Sequence, residues 1–319
     1  MSDDVATDVG KFDTGKTRLM SMNTDRMLAQ ISQHPGFIAA LDQSGGSTPG
    51  ALRLYGIPDS AYSGDAEMFR LMHEMRVRIM TAPAFTDAMI IGAILFEGTM
   101  DGQVRGKPVP AYLWQDRGVA PFVKVDQGLE PEQDGVRLMR PMPSLDATLA
   151  RAVKLEVFGT KMRSVINLPS RTGIDAVVRQ QFELAERIGR TGLMPIIEPE
   201  VLVNSPDKSG SEMVLREALI RQLDVMPEGR RVMLKLTIPE TPDFYASLIG
   251  HPRVVRVVAL SGGYAQADAC RRLAANHGMV ASFSRALTEG LVHSMTDSVF
   301  NSTLAGSIGR IFQASTVKL

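Results

Sequence analysis

A lysine inside an apolar run is the residue of this sequence with the clearest chemical consequence. Lys235 stands in the run 232–238, where its neighbours are mostly Val, Met, Leu and Ile. Moving an ammonium group out of water is costly unless it is paired with an anion or loses its proton. A neutral lysine amine is the nucleophile that forms a Schiff base with a carbonyl carbon. The alternative is a lysine whose head reaches solvent at the end of a strand.

Two further runs place charged residues at strand-like spacing. Lys161 and Arg163 share one parity, so both side chains point to the same face of a strand. If that face is inward, they are cations that help to keep Lys235 uncharged; if it is outward, they pair with helix carboxylates. Glu198 ends the next run, and Glu200 follows two positions later. Two carboxylates this close repel each other, which predicts a raised pKa for one of them and an acid–base role; the alternative is a pair of solvated loop carboxylates.

Charged residues also end two earlier runs. Asp42 closes the run 37–42, and Lys124 and Asp126, which share a parity, stand in and directly after the run 120–125. Single charges at strand ends are common, so none of these residues is specific by itself.

Two Ser-Gly-Gly triplets follow apolar runs and could bind anions. The first is Ser44 to Gly46, and the second is Ser261, Gly262 and Gly263. Glycines let backbone N–H groups converge on an anion, and the serine hydroxyl adds a donor. Arg285 follows the last run and could supply a bidentate guanidinium to the same anion. The alternative for either triplet is an ordinary turn.

The elements that must position these residues alternate along the chain. Amphipathic helices are predicted between β-rich runs, for example where Met68, Met72, Met75 and Ile79 recur at helical spacing. Eight strands alternating with helices predict an α/β fold, a (β/α)₈ TIM barrel over residues 16–319, preceded by a polar tail over residues 1–15. A doubly wound open sheet is the alternative, but no G-x-G-x-x-G turn follows the first strand. The eight runs are 37–42, 88–96, 120–125, 161–166, 193–198, 231–237, 254–260 and 279–283.

Composition excludes several classes of function. The 319 residues carry 35 basic and 35 acidic side chains, a balance that argues against binding nucleic acid. Cys270 is the single cysteine, which excludes an internal disulfide and is typical of a reducing compartment, so a cytoplasmic location is predicted. The sequence contains no run of about 18 apolar residues, the length that a membrane-spanning helix needs. The five histidines are scattered, so neither a metal site nor another cofactor is predicted.

The predicted barrel brings these candidates together. Active sites on this fold use the carboxyl ends of the strands and the loops that follow them. The lysines, the carboxylates and both glycine loops all fall at that end, whereas unrelated structural features would scatter over both ends. The pattern therefore predicts a site that processes a carbonyl substrate with two anionic groups through an imine.

In order along the chain, several segments resemble class I fructose-bisphosphate aldolases, with the greatest likeness to the bacterial branch. Any one segment is a weak match, but the ordered set is specific and extends from about Met22 to the C-terminal helix. The segments are 41–47, 94–97, 123–128, 159–163, 197–200, 234–235 and 260–263.

The resemblance implies a barrel enzyme that reversibly cleaves fructose 1,6-bisphosphate to dihydroxyacetone phosphate and glyceraldehyde 3-phosphate without a metal. Lys235 matches the Schiff-base lysine, and Glu198, with Glu200 beside it, matches the general acid and base. Asp42 matches the aspartate implicated in C3–C4 cleavage, and Lys161 the lysine that places charge near the imine. Arg163 matches a substrate-contacting arginine. The family's binding site for the substrate's 1-phosphate corresponds to Ser261, Gly262, Gly263 and Arg285. Its residues near the 6-phosphate correspond to Ser44, Ser47 and Lys124.

Two departures from the family pattern leave questions open. Animal members use a C-terminal tyrosine for proton exchange at C3, whereas the last tyrosine here is Tyr264, so Glu198 or another group must take that role. Position 43 is Gln where animal members have Glu. The resemblance also leaves open a homo-oligomer. Alternative functions are a transaldolase-like enzyme or an aldolase for another phosphorylated ketose, and a non-enzymatic barrel that serves as a scaffold.

Overall fold

The structure is a computed structural model that describes residues 14–319, with side chains from residue 22 onward. The predicted polar tail over residues 1–15 therefore lies outside the described residues, except for Thr14 and Gly15, which begin the first helix.

Eight parallel strands in the described part of the chain form a nearly closed barrel, which confirms the predicted fold. Each strand pairs with the next along the chain. At the remaining seam, Ala40 N donates a 3.1 Å hydrogen bond to Phe283 O, just beyond the last strand. The strands are β1 Phe37–Leu41, β2 Ile90–Leu95, β3 Ala120–Lys124, β4 Gly159–Ile166, β5 Met194–Val201, β6 Val232–Thr237, β7 Val254–Leu260 and β8 Met279–Ala281.

Helices connect the strands and cover the barrel. The helix predicted from apolar spacing near residues 68–79 is present. Small antiparallel pairs join Gln103–Val104 to Lys107–Pro108, and Val136–Arg137 to the end of β4. The α-helices are α1 Thr14–Gln33, α2 Thr48–Leu54, α3 Gly64–Thr81, α4 Glu97–Met100, α5 Val109–Arg117, α6 Leu145–Lys154, α7 Arg171–Gly189, α8 Lys208–Asp224, α9 Ala246–Ile249, α10 Gln266–Ala274, α11 Arg285–Thr288 and α12 Asp297–Thr316.

The inside of the barrel changes from apolar to charged along its axis. Strand side chains alternate between the two faces, so residues two apart share the interior. Phe122, Ile196 and Met233 belong to one buried apolar cluster. The next residues of the same parity are Lys124, Glu198 and Lys235. The amino-terminal half of the barrel is therefore packed core, and the carboxyl end carries the polar groups.

Helix α1 packs against the amino-terminal end of the barrel. Met27 and Ile31 are buried in the same cluster as the interior strand residues. Gln30 Nε2 donates to Ile91 O at 2.8 Å and to Gly118 O at 2.6 Å. A Cβ on Gly92 would lie 3.1 Å from Ile31 Cδ1, so this glycine makes room for the helix. The sequence pattern did not predict this helix.

Residues 318 and 319 are also held at the amino-terminal end. Lys318 Nζ donates to the carbonyl oxygens of Leu273, Met279 and Ala314, at 3.2, 2.7 and 3.0 Å. Met279 is the first residue of β8. Leu319 N donates to Ala274 O at 2.9 Å. This segment therefore lies opposite the charged end of the barrel.

Candidate active site

Four charged side chains form a continuous chain at the carboxyl end of the barrel. Lys161 Nζ lies 2.6 Å from Asp42 Oδ2 and 3.0 Å from Glu198 Oε2. The other oxygen of Glu198, Oε1, lies 3.0 Å from Lys235 Nζ. The four residues come from β4, β5, β6 and the end of β1, so these contacts exist only because the barrel closes. The structure thus places four of the five predicted catalytic residues in contact, all except Glu200, and Lys235 points inward.

Burial opposes the charges of Lys161, Asp42 and Glu198, and the neighbouring opposite charges outweigh it. Lys161 is 2% exposed. Its burial disfavours the ammonium form, but Asp42, Glu198 and Asp126 together raise the pKa of Lys161. Burial likewise favours a neutral Asp42, yet Lys161 and Lys235 hold the pKa of Asp42 well below its usual range. Both groups are therefore charged at neutral pH.

Glu198 differs from the expectation in one respect. Its burial raises the pKa, but the positive charges of Lys161 and Lys235 outweigh both burial and the repulsion from Asp42, and the pKa of Glu198 is lowered. The predicted raised pKa is therefore wrong for Glu198, because two lysines flank its carboxylate. Glu200 points its own carboxylate to Arg163 in a separate ion pair.

A second layer of ion pairs borders the chain of four. Lys124 Nζ lies 2.8 Å from Asp126 Oδ1, and Asp126 Oδ2 accepts a 3.2 Å hydrogen bond from Arg163 N. Arg163 shares the inward face with Lys161, as one of the two alternatives predicted. Lys161 and Arg163 are both paired with carboxylates, so neither adds an unpaired positive charge beside Lys235. Asp126 was noted at a strand end but not assigned to the site, although its parity with Lys124 was the available signal.

The two glycine triplets form turns directly after β1 and β7. Ser44 N donates to Ser47 Oγ at 3.1 Å in the turn after β1. Gly262 and Gly263, after β7, have φ of 58° and 110°, which side chains rarely adopt. A Cβ on Gly263 would lie 3.2 Å from Arg285 Nη2, so this guanidinium packs against the loop. Ser261 is buried beside them. Arg285 and the second triplet are therefore brought together, as predicted.

Two residues outside the predicted set join the loops at the barrel mouth. Gln43 Nε2 donates to Ser284 Oγ at 2.7 Å, linking the turn after β1 to the residue before Arg285. Arg76, from α3, donates through Nη2 to the carbonyl oxygen of Gln43. Arg76 was missed because it lies on a helix, where the sequence gives no sign that it faces the site.

Other kinds of site are not indicated in the described part of the chain. Residues 14–319 contain no group of three His, Cys, Asp or Glu side chains placed to hold a metal ion. No helix among the described residues has the length and apolarity needed to cross a membrane.

The fold and the site define a (β/α)₈ barrel with buried lysine and carboxylate side chains at its mouth, an arrangement suited to acid–base and imine chemistry. A sequence model of the class I fructose-bisphosphate aldolases matches residues 62–238, more than half of the chain. The chain belongs to the class I fructose-bisphosphate aldolase family.

Similar proteins come from several bacteria. Fructose-bisphosphate aldolase class 1 of Synechocystis sp. is 55% identical over 288 residues, which cover 90% of this chain and 96% of that protein. The proteins of the same name from Porphyromonas gingivalis and Clostridium acetobutylicum are each 51% identical over 294 residues, covering 92% of this chain and 99% of theirs. These relatives agree with the predicted bacterial branch.

A solved structure supports the fold. Fructose-bisphosphate aldolase from Plasmodium falciparum, in complex with TRAP and a small-molecule inhibitor, superposes with a TM-score of 0.72. The alignment covers 97% of this chain and 98% of that chain at 19% identity.

Proposed function

We propose that this protein reversibly cleaves fructose 1,6-bisphosphate into dihydroxyacetone phosphate and glyceraldehyde 3-phosphate, with Lys235 as the residue that forms the imine. One observation carries the assignment of the lysine. Lys235 Nζ is buried at the carboxyl end of the barrel and lies 3.0 Å from the carboxylate of Glu198. That carboxylate is a base within direct hydrogen-bond reach of the amine.

The first half of the reaction uses Lys235 and Glu198. Glu198 takes a proton from the Lys235 ammonium, and the neutral amine attacks the C2 ketone of the substrate. The resulting carbinolamine loses its hydroxyl as water, with Glu198 returning the proton. Lys161, 3.0 Å from Glu198, favours the carboxylate form and so the return of that proton.

Asp42 serves the second half. The protonated imine draws the C3–C4 bonding electrons toward C2, while Asp42 accepts the proton of the C4 hydroxyl. The bond breaks, glyceraldehyde 3-phosphate leaves, and an enamine of dihydroxyacetone phosphate stays on Lys235. Protonation at C3 and hydrolysis of the imine release the second product. The ion pair to Lys161 keeps Asp42 ionised and ready to act as the base.

The loops at the mouth would hold the two phosphates. Ser261, Gly262, Gly263 and Arg285 form the cradle for the 1-phosphate, and Ser44, Ser47 and Lys124 border the 6-phosphate. Arg163 contacts the substrate between them, with Glu200 fixing its guanidinium. Two anchored ends orient the ketone toward Lys235. The proposed setting is the cytoplasm, with sugar phosphates as the binding partners and residues 16–319 as one catalytic domain.

Borohydride reduction tests this proposal. Treatment with dihydroxyacetone phosphate and borohydride should inactivate the protein and leave a reduced adduct on the peptide that contains Lys235. A Lys235→Met variant should show neither the adduct nor cleavage. Cleavage by that variant, or an adduct on another lysine, would contradict the assignment.

Two controls separate this reaction from its alternatives. Dialysis against EDTA should leave the cleavage rate unchanged, because the imine replaces a metal as the electron sink. Fructose 1-phosphate should be cleaved less well than the bisphosphate, since it fills only one phosphate site. Equal rates on both substrates would argue for an aldolase of another phosphorylated ketose.

A further inference from the structure

Arg76 is a buried cation at the barrel mouth that the reaction above does not use. It is 2% exposed. Its Nη1 donates to Thr99 Oγ1 at 2.8 Å, its Nη2 donates to Gln43 O, and its Cζ lies 5.7 Å from the centroid of the Phe96 ring. Among the described residues no carboxylate lies within ion-pair distance of it.

This arrangement is costly for stability alone. Burying a guanidinium without a carboxylate has an unfavourable desolvation free energy, and hydrogen bonds to neutral partners offset it only in part. Its Nε is also buried without a hydrogen-bond partner among the described residues. Burial lowers the pKa of Arg76 to about 10, with Asp42 opposing the shift, so the side chain stays charged at neutral pH. A neutral side chain could fill this space without that desolvation cost, so the arginine has a role in the site beyond stability.

Arg76 contacts the main chain directly after Asp42. Gln43, whose carbonyl oxygen it binds, is the next residue after Asp42. The side chain of Gln43 is fixed as well, by its hydrogen bond to Ser284. Lys161 holds the carboxylate of Asp42 from the opposite wall of the barrel. Asp42 is thus fixed at its side chain by one cation and at its main chain by another.

We propose that Arg76 is a positioning residue for C3–C4 cleavage: by holding the carbonyl oxygen of Gln43, it fixes Asp42 against the C4 hydroxyl. The inference rests on the proposed function, in which Asp42 is the base for that hydroxyl. It assigns to Arg76 no contact with substrate and no part in forming the imine.

The test separates the two halves of the reaction. Arg76→Met should lower kcat for fructose 1,6-bisphosphate cleavage by about 100-fold, the size expected when a reacting group is misplaced by about 1 Å. The rate of borohydride trapping with dihydroxyacetone phosphate should stay at that of the unchanged protein, because Lys235 and Glu198 are untouched. Asp42→Asn serves as the reference, since it should show the same split.

Arg78→Met is the matched control. Arg78 lies on the same helix and makes hydrogen bonds of its own, to His293 O and Met295 O and to Asp297, on the side facing α12. It should lose stability without the selective loss of kcat. Equal losses of kcat in the two arginine variants, or a parallel loss of trapping and cleavage in Arg76→Met, would overturn the positioning role.

A second variant covers the case in which Arg76→Met does not fold. Thr99→Val removes one partner of the guanidinium while keeping the shape of the side chain and leaving Arg76 in place. It should lower kcat with trapping unchanged, and an unaltered kcat would count against the proposal. If the unchanged protein forms no trapped adduct at all, the proposed function fails, whatever the Arg76 variants do.

Discussion

In the chain of four charged side chains at the carboxyl end of the barrel, each ionised side chain lies beside one of opposite sign. Lys161 shows the consequence best, because it bridges the carboxylates of Asp42 and Glu198 and is itself 2% exposed. Removing one member of a buried pair leaves an uncompensated charge, which costs far more than the pair contributes. The arrangement of the proposed catalytic side chains and the stability of this region therefore depend on the same contacts.

Lys161→Met should lower the free energy of unfolding by about 3–5 kcal/mol, because two buried carboxylates lose their shared cation. Denaturant titration measures the loss. Lys154→Met is the control, since Lys154 is exposed at the end of α6 and its removal should have little effect. Similar losses in the two variants would show that Lys161 is not the cation that stabilises these carboxylates.

The sequence predicts which residues share one face of a strand, because side chains alternate along it, and the candidate residues were found in this way. Lys235 and Glu198 could be selected as candidates because several charged residues fall together at the carboxyl ends of the predicted strands, although each one alone has an ordinary structural explanation. The direction of the pKa shift of Glu198 could not be predicted, because the two flanking lysines come from other strands and only the closed barrel brings them to it. Arg76 was missed for a similar reason, since helical spacing does not show which helix end faces the mouth.

Among the elements, α1 has a function that strand patterns do not show. It covers the amino-terminal end of the barrel, where Met27 and Ile31 complete the apolar interior. All eight strands were predictable to within a few residues at their ends, because most are short apolar runs bounded by polar sequence, and β4 and β5 keep apolar residues between their charged ones. Helix α1 was not, since its apolar residues are few and buried only through contact with strand ends far away in sequence.

Ile31→Ala should destabilise the protein by about 2–5 kcal/mol, because it leaves a cavity against Gly92 and the interior strands. The kcat should not change, since the proposed catalytic residues all lie at the other end of the barrel. Thermal or denaturant unfolding together with cleavage assays would measure both effects.

Met22→Ala provides the control on the same helix, because Met22 is 53% exposed. A loss of kcat in Ile31→Ala at temperatures where the protein is fully folded would show that the two ends of the barrel are coupled.

For the molecule as a whole, the buried carboxylates make stability depend on pH. The pKa of Asp42 and that of Glu198 are lowered in the folded state. In the unfolded chain these groups take up protons near their ordinary values of about 4. The unfolded state therefore binds more protons as the pH falls below that range, and the folded state loses stability.

The free energy of unfolding should accordingly fall between about pH 5 and pH 3, with a shallower slope in Asp42→Asn, because one of the responsible groups is gone. Urea titrations at several pH values would give both slopes. An unchanged slope in the variant would mean that the folded and unfolded chains protonate Asp42 alike.

The anchoring of Lys318 by three carbonyl groups bears on how the enamine is quenched at carbon 3. Lys318 is hydrogen-bonded at the end of the barrel remote from the imine, so it does not reach the bound intermediate. Neither Lys318 nor Leu319 is then placed to deliver the hydrogen to that carbon, and we expect a group on the walls or loops around the substrate to do so. Deuterium uptake into dihydroxyacetone phosphate should be stereospecific and should persist when Lys318 and Leu319 are removed.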